Sequence, residues 1–312
     1  MNVPKIAREG LRSVGKLFSP KGAQEDTLEA LWPDQGGSCI RNRGKSWLEA
    51  QVDLSIIIPC YNNAPYLRGC LDSVLGQKTG YSFEAVVIDD GSTDETPEIL
   101  KAYAANPRVR LLRQENQGHS GARNAGLSVC RGKYLLFHDS DDTLLPGSIQ
   151  ALLDCAFQND ADIAIGGYVC KDAAGNVTPG KTYSAGPVTD RERIPGMTCG
   201  KAFRRRLWAN LQFPLGYWYE DSVISQILLP MARRIYAIDA PVFAYLLNPQ
   251  GVSAASQGRP KSLESLYVTR RLLKEREFFG LRYDQDAYTH FLHMVLLTYH
   301  RTRLLPKDVP YA

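Results

Sequence analysis

From residue 54 onward, short apolar runs alternate with stretches whose apolar residues recur at helical spacing. Ser55-Ile56-Ile57-Ile58, Ala85-Val86-Val87-Ile88, Val109–Leu112 and Tyr134–Phe137 are nearly continuous apolar runs, the pattern of strands buried on both faces. Pro59 is expected to stop the first of them. Between the runs, Leu67, Cys70, Leu71, Val74 and Leu75 mark one helix face. Ile99, Leu100 and Tyr103 mark a second, with Ser92 or Thr93 as its cap. Ser120–Val129 and Pro146–Phe157 supply two more helices, the last with proline near its first turn, and Ile163–Ile165 a fifth strand. Strands alternating with helices predict a mostly parallel, Rossmann-like α/β sheet with helices on both faces. The runs are too few for an eight-stranded α/β barrel.

Beyond about residue 170 the alternation stops. Residues 171–200 are polar and punctuated by Gly and Pro, and predict a loop or hairpin over the sheet. Leu207–Gln212 and Val223–Leu229 read as helices, and Ile235–Leu247 as extended chain. Ser262–Phe279 and Asp286–Leu305 read as long helices, the latter with Phe291, Leu292, Val295, Leu296 and Tyr299 on one side. At the other end, Val3, Ile6, Ala7, Leu11, Val14, Leu17 and Phe18 form an apolar stripe over residues 1–22, and Ser19-Pro20 closes it. Lys5, Arg8, Arg12, Lys16 and Lys21 oppose a lone Glu9 there, the composition of a helix lying on an anionic membrane surface or on a partner. Residues 23–50 read as a linker. The expected organisation is therefore 1–50 as basic helix and linker, 51–256 as the main domain with a division near 165/166, and 257–312 as a helical extension.

With 312 residues, 44% of them hydrophobic, the chain can bury a large core. A net charge of +4 gives no reason to expect a nucleic-acid partner. Seven cysteines without a C-x-x-C pair point to a reducing compartment, the cytoplasm, rather than to a disulfide framework. No apolar run is long enough to span a bilayer.

The candidate chemistry lies where strands end. Asp139-Ser140-Asp141-Asp142 follows the fourth strand, Asp89-Asp90-Gly91-Ser92 the second, and Pro59-Cys60-Tyr61-Asn62-Asn63 the first. In a parallel sheet these ends share one edge, where ligands bind. An aromatic ring with a carboxylate suits a nucleobase, and clustered carboxylates suit a divalent cation on a diphosphate. Neither the G-x-x-x-x-G-K-[ST] nor the G-x-G-x-x-G phosphate loop is present. Read alone, each loop is equally an acidic turn or helix cap, and His119, His290, His293 and His300 read as solvated or packing residues rather than zinc ligands.

Taken together, Ile56-Ile57-Ile58-Pro59-Cys60-Tyr61-Asn62, Val87-Ile88-Asp89-Asp90-Gly91-Ser92-Thr93-Asp94, Asn116–Gly126, Asp139-Ser140-Asp141-Asp142 and Glu220-Asp221 resemble, in order, the blocks of family 2 glycosyltransferases. The resemblance covers about residues 53–256. It implies a GT-A fold, a UDP-sugar or other nucleotide-diphosphate-sugar donor, a divalent Mn²⁺ or Mg²⁺, and an inverting transfer. By that resemblance Pro59, Tyr61 and Asp90 hold the base, with Asn62 and Asp89 in the same loops, and Asp139 of the third loop also on the nucleotide side. Arg123 lies near the nucleotide, Asp141 reaches the ribose and sugar, and Asp142, with Asp141, holds the metal. Asp221, with Glu220 beside it, takes the proton from the acceptor hydroxyl, and Lys201 reaches the diphosphate or sugar. One departure stands out: Tyr245-Leu246-Leu247-Asn248 occupies the place of the family's Tyr-x-Tyr-Arg, so an arginine for the leaving phosphates is missing. The expected acceptor is a glycan or a lipid-linked saccharide, in polysaccharide or glycolipid synthesis. The competing readings are a nucleotidyltransferase, which lacks its Gly-rich basic loop here, and a sugar-nucleotide-binding scaffold without activity.

Overall fold

The computed structural model describes residues 33–44, 46–248, 251 and 259–302. The basic stripe of residues 1–22 lies outside the described residues.

Four strands, β1 (Val52–Cys60), β2 (Phe83–Asp89), β3 (Val109–Arg113) and β4 (Gly132–Phe137), pair in parallel in the order β3-β2-β1-β4. Their crossovers are α1 (Ala64–Leu75), α2 (Thr96–Lys101) and α3 (Gly118–Val129). Period-two alternation divides the strands between two cores. Ile56 and Ile58 pack with Leu67 and Leu71 of α1, while Ile57 packs on the other face with Val86, Ile88 and Phe137. The second face requires α3 to approach β1 closely. A Cβ on Gly126 would lie 2.4 Å from Ile57 Cγ2, so glycine is needed there. Pro59 does not stop β1. The strand continues through it paired with Ile88, while the β4 pairing has already ended at Ile57 and Phe137, so no neighbour on that side needs its missing N–H.

The second half departs from pure alternation. After β5 (Thr143–Leu144) and α4 (Ser148–Gln158), the sheet gains β6 (Ile163–Lys171), β7 (Val177–Pro179), β8 (Gly186–Pro187), β9 (Lys201–Arg204) and β10 (Ile235–Leu246). β9 inserts antiparallel between β4 and β6, and β10 runs parallel to β6. The parallel core predicted from the apolar runs is thus extended by a mixed sheet. Residues 171–200 add the small strands β7 and β8 to it.

Several expectations are corrected. Leu207–Gln212 is not a helix: a 3₁₀ turn covers Arg205–Trp208, and Leu211 bridges to Ile40. Val223–Leu229 is largely a π turn, Ile224–Leu228. Residues 33–44 are not a free linker, because Cys39 is fully buried and its N–H donates to Glu275 Oε2 (2.8 Å). The terminal helices are α5 (Glu264–Glu275), extended by a 3₁₀ turn over Arg276–Phe279, and α6 (Gln285–Thr302). On α6 the buried residues are Met294 and Thr298, while Leu296 and Tyr299 are exposed. A hydrogen bond between the Ser265 and Thr298 hydroxyls (2.8 Å) sets that rotation of α6 against α5.

Phe137, Trp208 and Phe213 lie with ring centroids 5.0–5.1 Å apart, all fully buried. Truncating any one to alanine would cost about 3–5 kcal/mol. This cluster fixes the segment after Phe213 beneath α3, which brings Glu220-Asp221 to the ends of the parallel strands.

Candidate active site

The loops after β1 and β2 are stitched together by short polar side chains. Asn62 adopts a left-handed conformation (φ 47°), which Asn tolerates better than most residues. Its Oδ1 accepts from Thr93 N–H (2.7 Å), and its own N–H donates to Ser92 Oγ (3.0 Å). Asp94, rather than Ser92 or Thr93, serves the start of α2, accepting from Thr96 N–H (3.0 Å), and its other oxygen accepts from Ala64 N–H at the start of α1 (3.1 Å). Asp89 spends both oxygens inside the protein, on Ser92 N–H (2.9 Å) and Arg113 (2.7 Å), so it braces the loop. Asp90 accepts from Gln114 Nε2 and Gln117 N–H on Oδ1 alone. Tyr61 is half exposed above this framework, and Pro59 is buried beneath it. Asn63 Nδ2 donates to Ser140 Oγ (2.7 Å), tying the first loop to the third.

Helix α3 joins these loops to the acidic pair. Ser120, Arg123 and Asn124 stand three and four residues apart, on one helix face. Ser120 Oγ donates to Pro214 C=O (2.7 Å), and Asn124 exchanges two hydrogen bonds with the Phe213 backbone (2.8 and 2.9 Å). Buried Arg123 donates to Asp139 (2.8 Å) and, at closer range, to Glu220. Burial raises the Glu220 carboxyl even against Arg123. Burial also works to raise Asp139, but there the Arg123 guanidinium prevails and holds the carboxyl low.

Asp142 is almost fully buried. Its Oδ1 accepts from Leu246 N–H (2.8 Å), while Oδ2 has no hydrogen-bond partner among the described residues. Burial, and then Asp139, pushes its carboxyl up to about 9. One oxygen each of Asp139 and Asp142 and the Cys199 sulfur lie within 4.8 Å of one another. A buried carboxylate oxygen without a partner, beside a second carboxylate, fits a hard divalent cation. Burial raises the Cys199 thiol, as it raises Asp142, and the sulfur is the soft member of the group. The set differs from the one expected: Asp141 instead hydrogen-bonds Asn248, in the segment where the family's arginine is missing. Asp141 too is raised, by burial and by Asp139.

Lys201 Nζ is turned to the backbone, donating to Met197 C=O (2.7 Å) and Cys199 C=O (3.3 Å). Burial lowers its pKa to about 8. His119 is exposed, but it sits in the first turn of α3 rather than in a loop, within electrostatic reach of Arg123 and Asp139. Two neighbouring residues have different surroundings. Glu220 joins the Arg123–Asp139 ladder, whereas Asp221 lines a cavity of about 410 Å³ that reaches to α6. Cys199 escaped sequence reasoning, as did Ser120 and Asn124, which share a helix face with the expected Arg123. The i, i+3, i+4 spacing of polar residues on α3 was the available signal for the latter.

Residues 55–209 match the model of glycosyl transferase family 2. The chain is 34% identical over 232 residues to the uncharacterized glycosyltransferase YibD of Escherichia coli, covering 67% of this chain and 66% of that protein. It is 40% identical over 212 residues to glycosyltransferase GlyG of Streptococcus pneumoniae, covering 62% of this chain and 70% of that one. Among solved structures, S. aureus TarS residues 1–349 in complex with UDP-GlcNAc superposes with a TM-score of 0.58 over 82% of both chains, at 21% identity. The chain thus spans about two thirds of YibD and GlyG.

Proposed function

The chain belongs to glycosyl transferase family 2 and is a glycosyltransferase of GT-A fold, and we propose that it moves a sugar from a UDP-sugar to a hydroxyl of a glycan or lipid-linked saccharide with inversion. The observation that carries this reading is that Glu220 is tied to Arg123 while its neighbour Asp221 lines the adjoining cavity. One carboxylate is tied to the strand-end loops, and the other stands at the wall of a cavity.

The uracil stacks on Tyr61, and Asp90 Oδ2 accepts its ring N–H. Pro59 and Asn62 shape the floor of that pocket, with Asp89 holding the loop in place. Asp141, steadied by Asn248, faces the ribose and sugar. The acceptor hydroxyl attacks the anomeric carbon from the side opposite the diphosphate. As the new C–O bond forms, the bond to the diphosphate oxygen breaks, and the hydroxyl proton passes to Asp221. A single displacement converts an α-linked donor into a β-linked product. Arg123 keeps Asp139 ionised and Glu220 fixed, so the ladder sets the orientation of the following residue, Asp221. Asp142 and Asp139 would hold Mn²⁺ or Mg²⁺, which when bound neutralises charge on the leaving diphosphate. Lys201 acts by fixing the Met197–Cys199 loop against that pair.

The UDP-GlcNAc-bound TarS structure supports a UDP-sugar as donor. Among the described residues no helix is long and apolar enough to cross a membrane. With the basic stripe of residues 1–22, this supports a cytoplasmic enzyme that touches the inner membrane face. Screening UDP-sugars for Mn²⁺-dependent UDP release tests the proposal. Release that is unaffected by chelation excludes the metal, and silence across all donors with a panel of saccharide acceptors excludes the UDP-sugar reading.

A further inference from the structure

His119 stands between two of the strand-end loops. It follows Gln117 by two residues, and the Gln117 N–H donates to Asp90 Oδ1 (3.0 Å). It precedes by one turn Arg123, which holds Asp139 (2.8 Å). His119 and Arg123 are four residues apart and share a helix face. Side chains on a helix lean toward its N-terminus, so the His119 ring lies beyond Arg123, toward the gap between the Asp90 loop and the Asp139–Asp142 loop. The charges that act on the ring agree with that placement. After Arg123 they are Asp139, Asp141 and Asp90, so both loops are within reach.

The polar groups around this gap are already engaged. Asp90 accepts from Gln114 and Gln117, Arg123 holds Asp139 and Glu220, and Asp141 bonds Asn248. The His119 ring is exposed and has no hydrogen-bond partner among the described residues. There is room beside it, since a Cβ on Gly118 would meet no atom within 4 Å. A ligand that spans the two loops therefore passes a side chain that is free to bond it.

The part of the ligand follows from charge and order. Three carboxylates surround the ring, so a diphosphate placed against it would face like charges. With uracil at Asp90 and the sugar side at Asp141, the unit between them is the ribose. Its 2′- and 3′-hydroxyls each donate and accept, and a neutral imidazole offers one donor and one acceptor.

We infer that His119 hydrogen-bonds the ribose hydroxyls of the donor nucleotide and makes the site prefer ribose to deoxyribose. The inference rests on the UDP-sugar reading and assigns a specificity role to a residue outside the acidic loops.

Titration calorimetry of the full chain at fixed Mn²⁺, with UDP, 2′-deoxy-UDP and 3′-deoxy-UDP, tests it without turnover. Wild type is expected to bind UDP more tightly than at least one deoxy nucleotide. His119→Ala should weaken UDP about five- to tenfold, the loss of one net hydrogen bond, and should narrow that preference by the same factor. His119→Gln, which keeps one donor and one acceptor, should recover part of both. Unchanged UDP affinity in His119→Ala overturns the inference. So does a loss that is equal for all three nucleotides, which would put the ring on the base or the diphosphate, or in a structural role. A wild-type chain that binds no UDP overturns the donor reading itself, which separates that failure from a failure at His119.

Discussion

Around the ends of β1 and β2 the polar groups are already satisfied by the protein. Asn62, Ser92, Thr93, Asp94 and Thr96 bond one another, and Asp89 is held at both oxygens. Across the acidic pair, beneath α6, Arg276 Nε and His290 Nε2 are buried with no hydrogen-bond partner among the described residues. The first region is organised in advance, as suits a ligand that presents the same base and diphosphate every time. The second leaves buried polar groups that the described residues do not satisfy. Glu220 and Asp221 sit at the seam, one belonging to each region.

The sharpest way to break this division is at the seam. Asp221→Asn should cut transfer by about 10²–10⁴-fold while leaving UDP-sugar affinity intact, because only proton acceptance is lost. Turnover and donor affinity measured side by side decide it, and near-wild-type turnover would remove Asp221 as the base. Arg123→Met leaves Asp139 and Glu220 buried without their cation, and should cost about 3–5 kcal/mol in denaturant unfolding. A loss below about 1 kcal/mol would mean that the ladder is not what fixes the seam.

The Asp142 carboxyl provides a test in pH. Its folded pKa of about 9 lies far above the unfolded value near 3.9, so the native metal-free protein holds a proton that the unfolded chain releases. The associated stability is complete below about pH 4 and is lost as pH rises through about 9. Asp142→Asn should flatten that decline, raising metal-free stability at pH 8 by on the order of 1–3 kcal/mol. It should also abolish any gain in UDP affinity from Mn²⁺, read by titration calorimetry. A variant whose stability falls with pH as steeply as the wild type shows that Asp142 is not the titrating group. The smallest effect is expected in the preorganised loops. Asn62→Ala removes the acceptor for Thr93 N–H and leaves φ 47° without the local side-chain hydrogen bonds that make it tolerable, at a cost of about 1–2 kcal/mol in thermal unfolding. Asn62→Gly relieves the second part only, and identical losses in the two variants would show that backbone strain contributes nothing.

The parallel half was legible because buried parallel strands announce themselves as apolar runs, and Ile56-Ile57-Ile58 and Val86-Val87-Ile88 are of that kind. The strand-end loops followed from topology. The mixed half was not legible. β9 is only Lys201–Arg204, too short to show a period, and its neighbours in the sheet are distant in sequence. Val223–Leu229 has helical composition, but composition does not distinguish a π turn from an α-helix. In the site, block order located Asp139, Asp142 and Asp221. Which carboxylates meet depended on side-chain direction: Asp141 turns to Asn248 while Asp139 and Cys199 converge on Asp142. The cavity needed α6 to fold back over the turn after Asp221, which no local pattern encodes.

All seven cysteines are free, and six of them are buried; Cys170, near the end of β6, is the exception. It pairs in register with Tyr245, next to Leu246, whose N–H holds Asp142. The chain therefore carries its own spectroscopic handle. A thiol-reactive dye added to the native protein will settle on one position, without cysteine-less backgrounds or introduced thiols. That position neighbours the strand that steadies Asp142. Nucleotide and cation occupancy at the carboxylates can then be followed as a change in emission on the unmutated enzyme.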